Sequence, residues 1–157
     1  MLRERVADFS KRDNLHWFWA LFRRREKVKS KMMKDILTFF CSRSASRHGG
    51  YIGAGAEIAG IPVLPHGLHG VYISRYARIG ANCRIYQNVT VGEVNRKAPQ
   101  IGDHCMIGAG AVLVGGIRIG DGVRIGAGAV VSTDIPDHCT AVARPPRVIE
   151  RGKEDAG

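Results

Sequence analysis

Residues 101–131 read IGDHCMIGAGAVLVGGIRIGDGVRIGAGAVV, and an aliphatic residue returns at every sixth position: Ile101, Ile107, Leu113, Ile119, Ile125 and Val131. Working back toward the N-terminus, the series continues through Val91, Ile85, Ile79, Ile73, Leu64, Ile58 and Ile52. A period of six matches neither the 3.6-residue helical turn nor the two-residue alternation of a strand, so it describes a larger unit stacked on copies of itself. Four places after most of these aliphatic residues stands a small or apolar one: Ala56, Ala77, Cys83, Val89, Cys105, Ala111, Ile117, Val123, Ala129 and Ile135. Both positions are expected to face one thin core. Glycine at the second position (Gly53, Gly80, Gly92, Gly102, Gly108, Gly120, Gly126) is expected to supply backbone conformations that a Cβ makes costly at a tight corner. Three strands per coil give a triangular prism, an all-β solenoid of parallel strands with ladder hydrogen bonds between coils. The period leaves its handedness open.

Bulk properties bound the rest. At 157 residues one main domain is expected. No secretory signal is evident at the N-terminus, and no segment reaches the ~20 apolar residues that span a bilayer. The cysteines Cys41, Cys83, Cys105 and Cys139 lack CxxC spacing, and two of them occupy inward positions of the repeat, so they read as core thiols. Charge is uneven: residues 1–48 carry 13 Lys/Arg against 5 Asp/Glu, residues 49–157 carry 11 against 9, or +8 and +2 of the total +10. This divides the chain into a basic helical N-terminal module (1–48), a solenoid (49–149) and a polar tail (150–157). Apolar spacing predicts helices over 15–27 and 29–40, followed by a polar linker over 42–50. The module is expected to cap the first coil, since an uncapped solenoid exposes its core and a strand edge. The sharper alternative is a peripheral membrane contact, with Trp17, Phe18, Trp19 and Phe22 among lipid headgroups. Nucleic acid is the weakest candidate partner, because no reading motif accompanies the basic residues.

Chemistry is expected where the repeat is interrupted. Leu64 to Ile73 is nine residues and Val91 to Ile101 is ten, so two segments leave the prism. The first carries His66 and His69; the second, residues 93–100, forms an external loop. A histidine in a loop is by itself more often a surface or packing residue than a functional one.

Three stretches carry a resemblance. Residues 101–149, IGDHCMIGAGAVLVGGIRIGDGVRIGAGAVVSTDIPDHCTAVARPPRVI, together with IYQNVTVG (85–92) and LPHGLHGVYIS (64–74), resemble the left-handed β-helix acyltransferases, most closely their serine acetyltransferase branch. The resemblance implies a left-handed parallel β-helix assembled as a homotrimer, with sites between subunits. It implies acetyl-CoA as co-substrate, no metal, and direct transfer of acetyl to a hydroxyl. His66 matches the catalytic base, with His69 as a second candidate. A hydroxyl is a poor nucleophile until its proton is being removed, which imidazole does well at neutral pH, and backbone N–H groups of a Gly-rich coil suit the resulting oxyanion. For the coenzyme the resemblance implies Thr90, Gly92, Ala109 and Ala127, with Arg124, Arg144 and Arg147 available to its phosphates. For the acceptor it implies Tyr51, Asn95 and Lys97.

The chain departs from that pattern at two positions. Tyr51 stands where the family has an Asp that orients the catalytic histidine, and Ala98 stands where it has a second histidine facing the acceptor. The acceptor class therefore stays open between L-serine and a hydroxyl of a surface-glycan sugar. Two other classes of function fit a prism of this kind. A zinc site of the γ-carbonic-anhydrase kind needs a histidine pair five residues apart, and Ala109 stands where His104 would find its partner. A non-catalytic trimeric scaffold or membrane-surface module on the same fold is the alternative. The expected compartment is the cytoplasm, at the inner face of the membrane if the helices touch lipid.

Overall fold

The computed structural model describes residues 15–145; Pro146, Arg147, the polar tail and residues 1–14 lie outside the described residues. Each hexad forms one short strand and one corner. The strands are β1 (Tyr51–Ile52), β2 (Glu57–Ile58), β3 (Tyr72–Ile73), β4 (Arg78–Ile79), β5 (Arg84–Ile85), β6 (Thr90–Gly92), β7 (Gln100–Ile101), β8 (Met106–Ile107), β9 (Val112–Val114), β10 (Arg118–Ile119), β11 (Arg124–Ile125), β12 (Val130–Val131) and β13 (Thr140–Ala141). They form three sheets, the faces of a prism: β1-β3-β6-β9-β12 (face A), β2-β4-β7-β10 (face B) and β5-β8-β11-β13 (face C). Isolated bridges from Val63 to Arg84 and from Ile135 to Ile119 complete the coils at the two ends.

Every strand pair is parallel and in register, so like stacks on like: Ile52, Ile73, Val91, Leu113 and Val131 form one inward column on face A. The column is closed to solvent, with Ile73, Val91 and Leu113 fully buried. Burying one such side chain contributes about 1.5–3 kcal/mol, and the corner positions Ala77, Cys83, Val89, Cys105, Ala111 and Val123 fill the space between columns at 0–1% exposure.

The glycines after the aliphatic residue serve a different purpose from the expected one. A Cβ on Gly53 would sit 2.3 Å from the Arg75 backbone nitrogen, and one on Gly108 2.6 Å from that of Ala127. The constraint at these positions is close approach between coils, since neither has a left-handed φ. The left-handed residues come two places later, at Asn82, Asn88, His104, Gly110, Gly122, Gly128 and His138. Asparagine and glycine tolerate that conformation best.

Helices α1 (His16–Lys27) and α2 (Lys31–Arg47) precede the solenoid. Phe18, Trp19 and Phe22 pack with ring centroids 5.0–5.9 Å apart and belong to one hydrophobic cluster with the solenoid core. This corrects the lipid-facing assignment of those aromatics: three of the four point inward, and only Trp17, 74% exposed, faces solvent. The expected linker over 42–50 is also corrected, because α2 runs on to Arg47. Its buried stripe continues on small residues, Leu37 to Cys41 to Ala45, at four-residue steps, so the apolar period persists where composition reads as polar.

Candidate active site

The interruption at residues 64–71 lies on the edge where face C turns into face A. Below it, coil by coil, the same edge carries Tyr86, Gln87 and Asn88, then Gly108, Ala109 and Gly110, then Gly126, Ala127 and Gly128. Backbone bonds fix this stacking: Asn88 N–H donates to the His69 carbonyl (2.9 Å), Gly110 N–H to Gln87 (3.0 Å) and Gly128 N–H to Ala109 (2.9 Å). At about 4.8 Å per rung, Ala109 lies roughly 10 Å and Ala127 roughly 14 Å below the histidine segment.

His66 is exposed on this edge, its ring 6.2 Å from that of Tyr86, and makes no hydrogen bond among the described residues. His69 is also exposed and is already engaged; Gly49 approaches its ring, where a Cβ would lie 3.7 Å from Nδ1. Gly70, at φ +65°, closes the segment by donating to the Gly49 carbonyl at 2.8 Å. Its missing side chain matters, because a Cβ there would collide with the Asn88 side-chain oxygen.

Further down the edge the amide N–H groups of Ala109 and Ala127 carry no hydrogen bond among the described residues, while those of Gly110 and Gly128 tie the coils together. A Cβ on Gly110 or Gly128 would meet nothing within 4 Å. The edge therefore presents unused donors beside open space, the arrangement an extended amide-bearing ligand requires. Arg124 on face C and Arg144 after β13 are exposed near its lower end. Between the two levels sits Gln87, whose side-chain carbonyl oxygen is enclosed without a hydrogen-bond partner among the described residues.

The second interruption lies on the other edge of face A, where it turns into face B. Val94 and Lys97 exchange two backbone hydrogen bonds (2.9 and 3.0 Å) around Asn95 and Arg96, both at positive φ (52° and 63°). This is a two-residue hairpin of the type I′ kind. Asn95 and Lys97 are exposed, Ala98 is 5% exposed, and Gly92 at the end of β6 is buried. Thr90 faces outward on face A between the two edges.

The buried Ser74 hydroxyl donates to the Glu93 carboxylate and accepts from the Tyr76 N–H at 3.1 Å, pinning the loop to the prism. Beside it the Tyr51 phenol hydrogen-bonds Arg75, which pushes the guanidinium further above its ordinary value, and the Tyr51 ring stacks on Tyr72 at 5.0 Å. Within one protomer, then, Tyr51 meets Arg75 and not His66. The structure brings His66, Ala109, Ala127, Arg124 and Arg144 to one edge and leaves Gly92, Asn95 and Lys97 on another.

A broad open groove of about 710 Å³ occupies face B, lined by Glu57, Arg78, Gln100, Arg118, Asp121 and Asp137. Arg78 grips Glu57 there at 3.0 and 3.2 Å. It lies opposite the histidine edge and takes no part in that site. The repeat alone does not single out Tyr86 and Gln87 as site residues, although it carries a signal: Tyr86 replaces the glycine that usually follows the aliphatic residue.

Comparison with known proteins now defines the class. Residues 98–133 match the family model for bacterial transferase hexapeptide (six repeats). The solenoid superposes on soybean serine acetyltransferase complexed with serine (TM-score 0.73, 32% identity, 84% of this chain and 56% of that one). It also matches the Neisseria gonorrhoeae enzyme in complex with serine (0.72, 32%, 83% and 55%) and Entamoeba histolytica isoform 3 in complex with cysteine (0.70, 28%, 88% and 51%). The chain is a hexapeptide-repeat protein with a left-handed parallel β-helix. Within that class it is similar to serine acetyltransferases: it is 34% identical over 147 residues to that of Staphylococcus xylosus and 33% identical to that of Staphylococcus aureus. The chain spans 64–65% of the length of these curated relatives.

Proposed function

We propose that the protein is an acetyl-CoA-dependent O-acetyltransferase, acting as a homotrimer on the hydroxyl of a small acceptor, with His66 as general base. The observation that carries this is the edge itself, where an imidazole without a hydrogen bond stands above two coils in which the Ala109 and Ala127 N–H groups have no acceptor among the described residues. The coenzyme's pantetheine arm runs along Ala109 and Ala127, its phosphates toward Arg124 and Arg144, and its thioester end toward His66 near Thr90. His66 accepts the acceptor's hydroxyl proton as that oxygen bonds to the thioester carbon. As the carbon–sulfur bond breaks, the proton passes to the departing thiol, so no acyl-enzyme forms. The enclosed carbonyl of Gln87 accepts a hydrogen bond from the arm or from the imidazole, since an unpartnered buried acceptor is costly when nothing fills it.

The separation of the two edges supports the trimer. Asn95, Lys97 and Gly92 reach His66 only if a neighbouring prism supplies them, and a heterologous interface repeated around a threefold axis does so. His69, already engaged, is a positioning residue for the segment. Four free thiols, three of them buried, suit the reducing cytoplasm.

L-serine is the first acceptor, because the relatives are serine acetyltransferases and two of the matched structures hold serine. A glycan hydroxyl is the second: the buried Ala98 offers an amino acid no polar side chain, and Tyr51 is committed to Arg75. The test is acceptor-dependent thiol release from acetyl-CoA across L-serine and a panel of sugars. Release with serine establishes the first acceptor and release with sugars alone the second. No release with any acceptor, together with no detectable coenzyme binding, would sink the transferase reading and leave a scaffold.

A further inference from the structure

Helix α2 has two apolar sides. Leu37, Cys41 and Ala45 are buried and pin it to the body of the protein. On the opposite side Met32, Met33, Ile36, Phe39 and Phe40 are 70, 44, 43, 62 and 51% exposed. At 100° per residue these five fall within an arc of about 120°, centred roughly 140° from the buried stripe. Arg43 and Arg47 continue the same arc in the following turns. Single apolar residues scattered on a surface need no explanation, but a contiguous stripe of two Phe, two Met and one Ile marks an interaction face.

Charge identifies the occupant. Residues 15–48 carry nine Lys/Arg (Arg23, Arg24, Arg25, Lys27, Lys29, Lys31, Lys34, Arg43, Arg47) against two acidic residues, Glu26 and Asp35. A second copy of this face would bring two such fields together. Nucleic acid would match the charge but leave the stripe wet. A bilayer with anionic headgroups satisfies both at once: the Phe, Met and Ile side chains enter the headgroup boundary while the arginine stems snorkel to lipid phosphates.

We propose that the exposed face of α2 docks the protein on anionic membrane surfaces. Gly49, just past the end of α2, accepts the Gly70 N–H at 2.8 Å, so the end of the helix abuts the segment that holds His66 and His69 and docking holds the histidine edge near the bilayer. The inference stands independently of acetyl transfer.

Flotation with vesicles of mixed phosphatidylglycerol and phosphatidylcholine, and with phosphatidylcholine alone, tests it. The full chain is expected to float with the mixed vesicles, weakly with the neutral ones, and less at high salt. Phe39→Ser combined with Phe40→Ser changes only exposed side chains, so circular dichroism and melting should stay put while vesicle binding falls about tenfold or more. Arg43→Gln with Arg47→Gln should reduce binding to the anionic vesicles alone. Full-chain protein that stays in solution with mixed vesicles would overturn the proposal, as would a Phe39/Phe40 variant that floats normally. So would a changed molar mass in that variant, which assigns the face to a second copy, or retention on duplex DNA without vesicle binding.

Discussion

A handful of side chains decide what this solenoid does, and their surroundings set their tasks. Gln87 is the plainest case: its enclosed carbonyl oxygen has no hydrogen-bond partner among the described residues, a cost that a ligand's donor removes in the proposed coenzyme complex. Gln87→Leu is expected to raise the Kd for acetyl-CoA about tenfold while leaving the melting temperature unchanged or higher; calorimetric titration checks both halves. The core thiols give a second prediction. Cys83 is held well above the ordinary thiol range by its hydrogen bond with Cys105 and then by burial. A raised folded-state value means stabilisation fully present below the unfolded thiol's value near 9 and lost as pH rises beyond it. The same bond lowers Cys105, whose contribution has the opposite sign below that value, so the test lies above it: urea midpoints should decline above about 9, with a smaller decline in Cys83→Ala. Of the four thiols, only the exposed Cys139 should react quickly with a thiol reagent in the native state.

At the scale of elements, the corners and the cap carry the sharpest tests. Gly70→Ala combines a left-handed φ with a collision against Asn88, so it should cost on the order of 1–3 kcal/mol in urea unfolding and loosen the histidine segment. Phe18→Ala removes the best-buried side chain of the cap and should cost about 3 kcal/mol. Much of this level was legible beforehand. The hexads gave each inward column, and the nine- and ten-residue gaps marked both excursions from the prism. The C-terminal third of α2 was not legible, because its inward stripe passes to Cys41 and Ala45 amid serines and arginines. Nor was the role of the second-position glycines, since sequence alone does not distinguish a left-handed residue from one crowded by the next coil. The pairing of Tyr51 with Arg75 and of Ser74 with Glu93 likewise depends on which corner each residue reaches, a property of the stacked coils.

For the whole molecule, the two excursions lie on different edges of the prism, so the proposed catalyst calls for a neighbouring protomer. A solution mass near three times the 17.1 kDa chain is expected from light scattering. Mixing His66→Ala chains with chains lacking residues 94–97, after unfolding and refolding together, should restore about one quarter of normal turnover, because one in four random subunit interfaces joins an intact histidine to an intact loop. No recovery would place the site within one protomer. Beneath all of this lies one comparison: acceptor-dependent thiol release from acetyl-CoA by the natural chain and by His66→Ala. Release in the natural chain, reduced by roughly 10²–10⁴ in the variant with melting and coenzyme binding unchanged, is the expected result; equal release by both would contradict the assignment of His66 as the base.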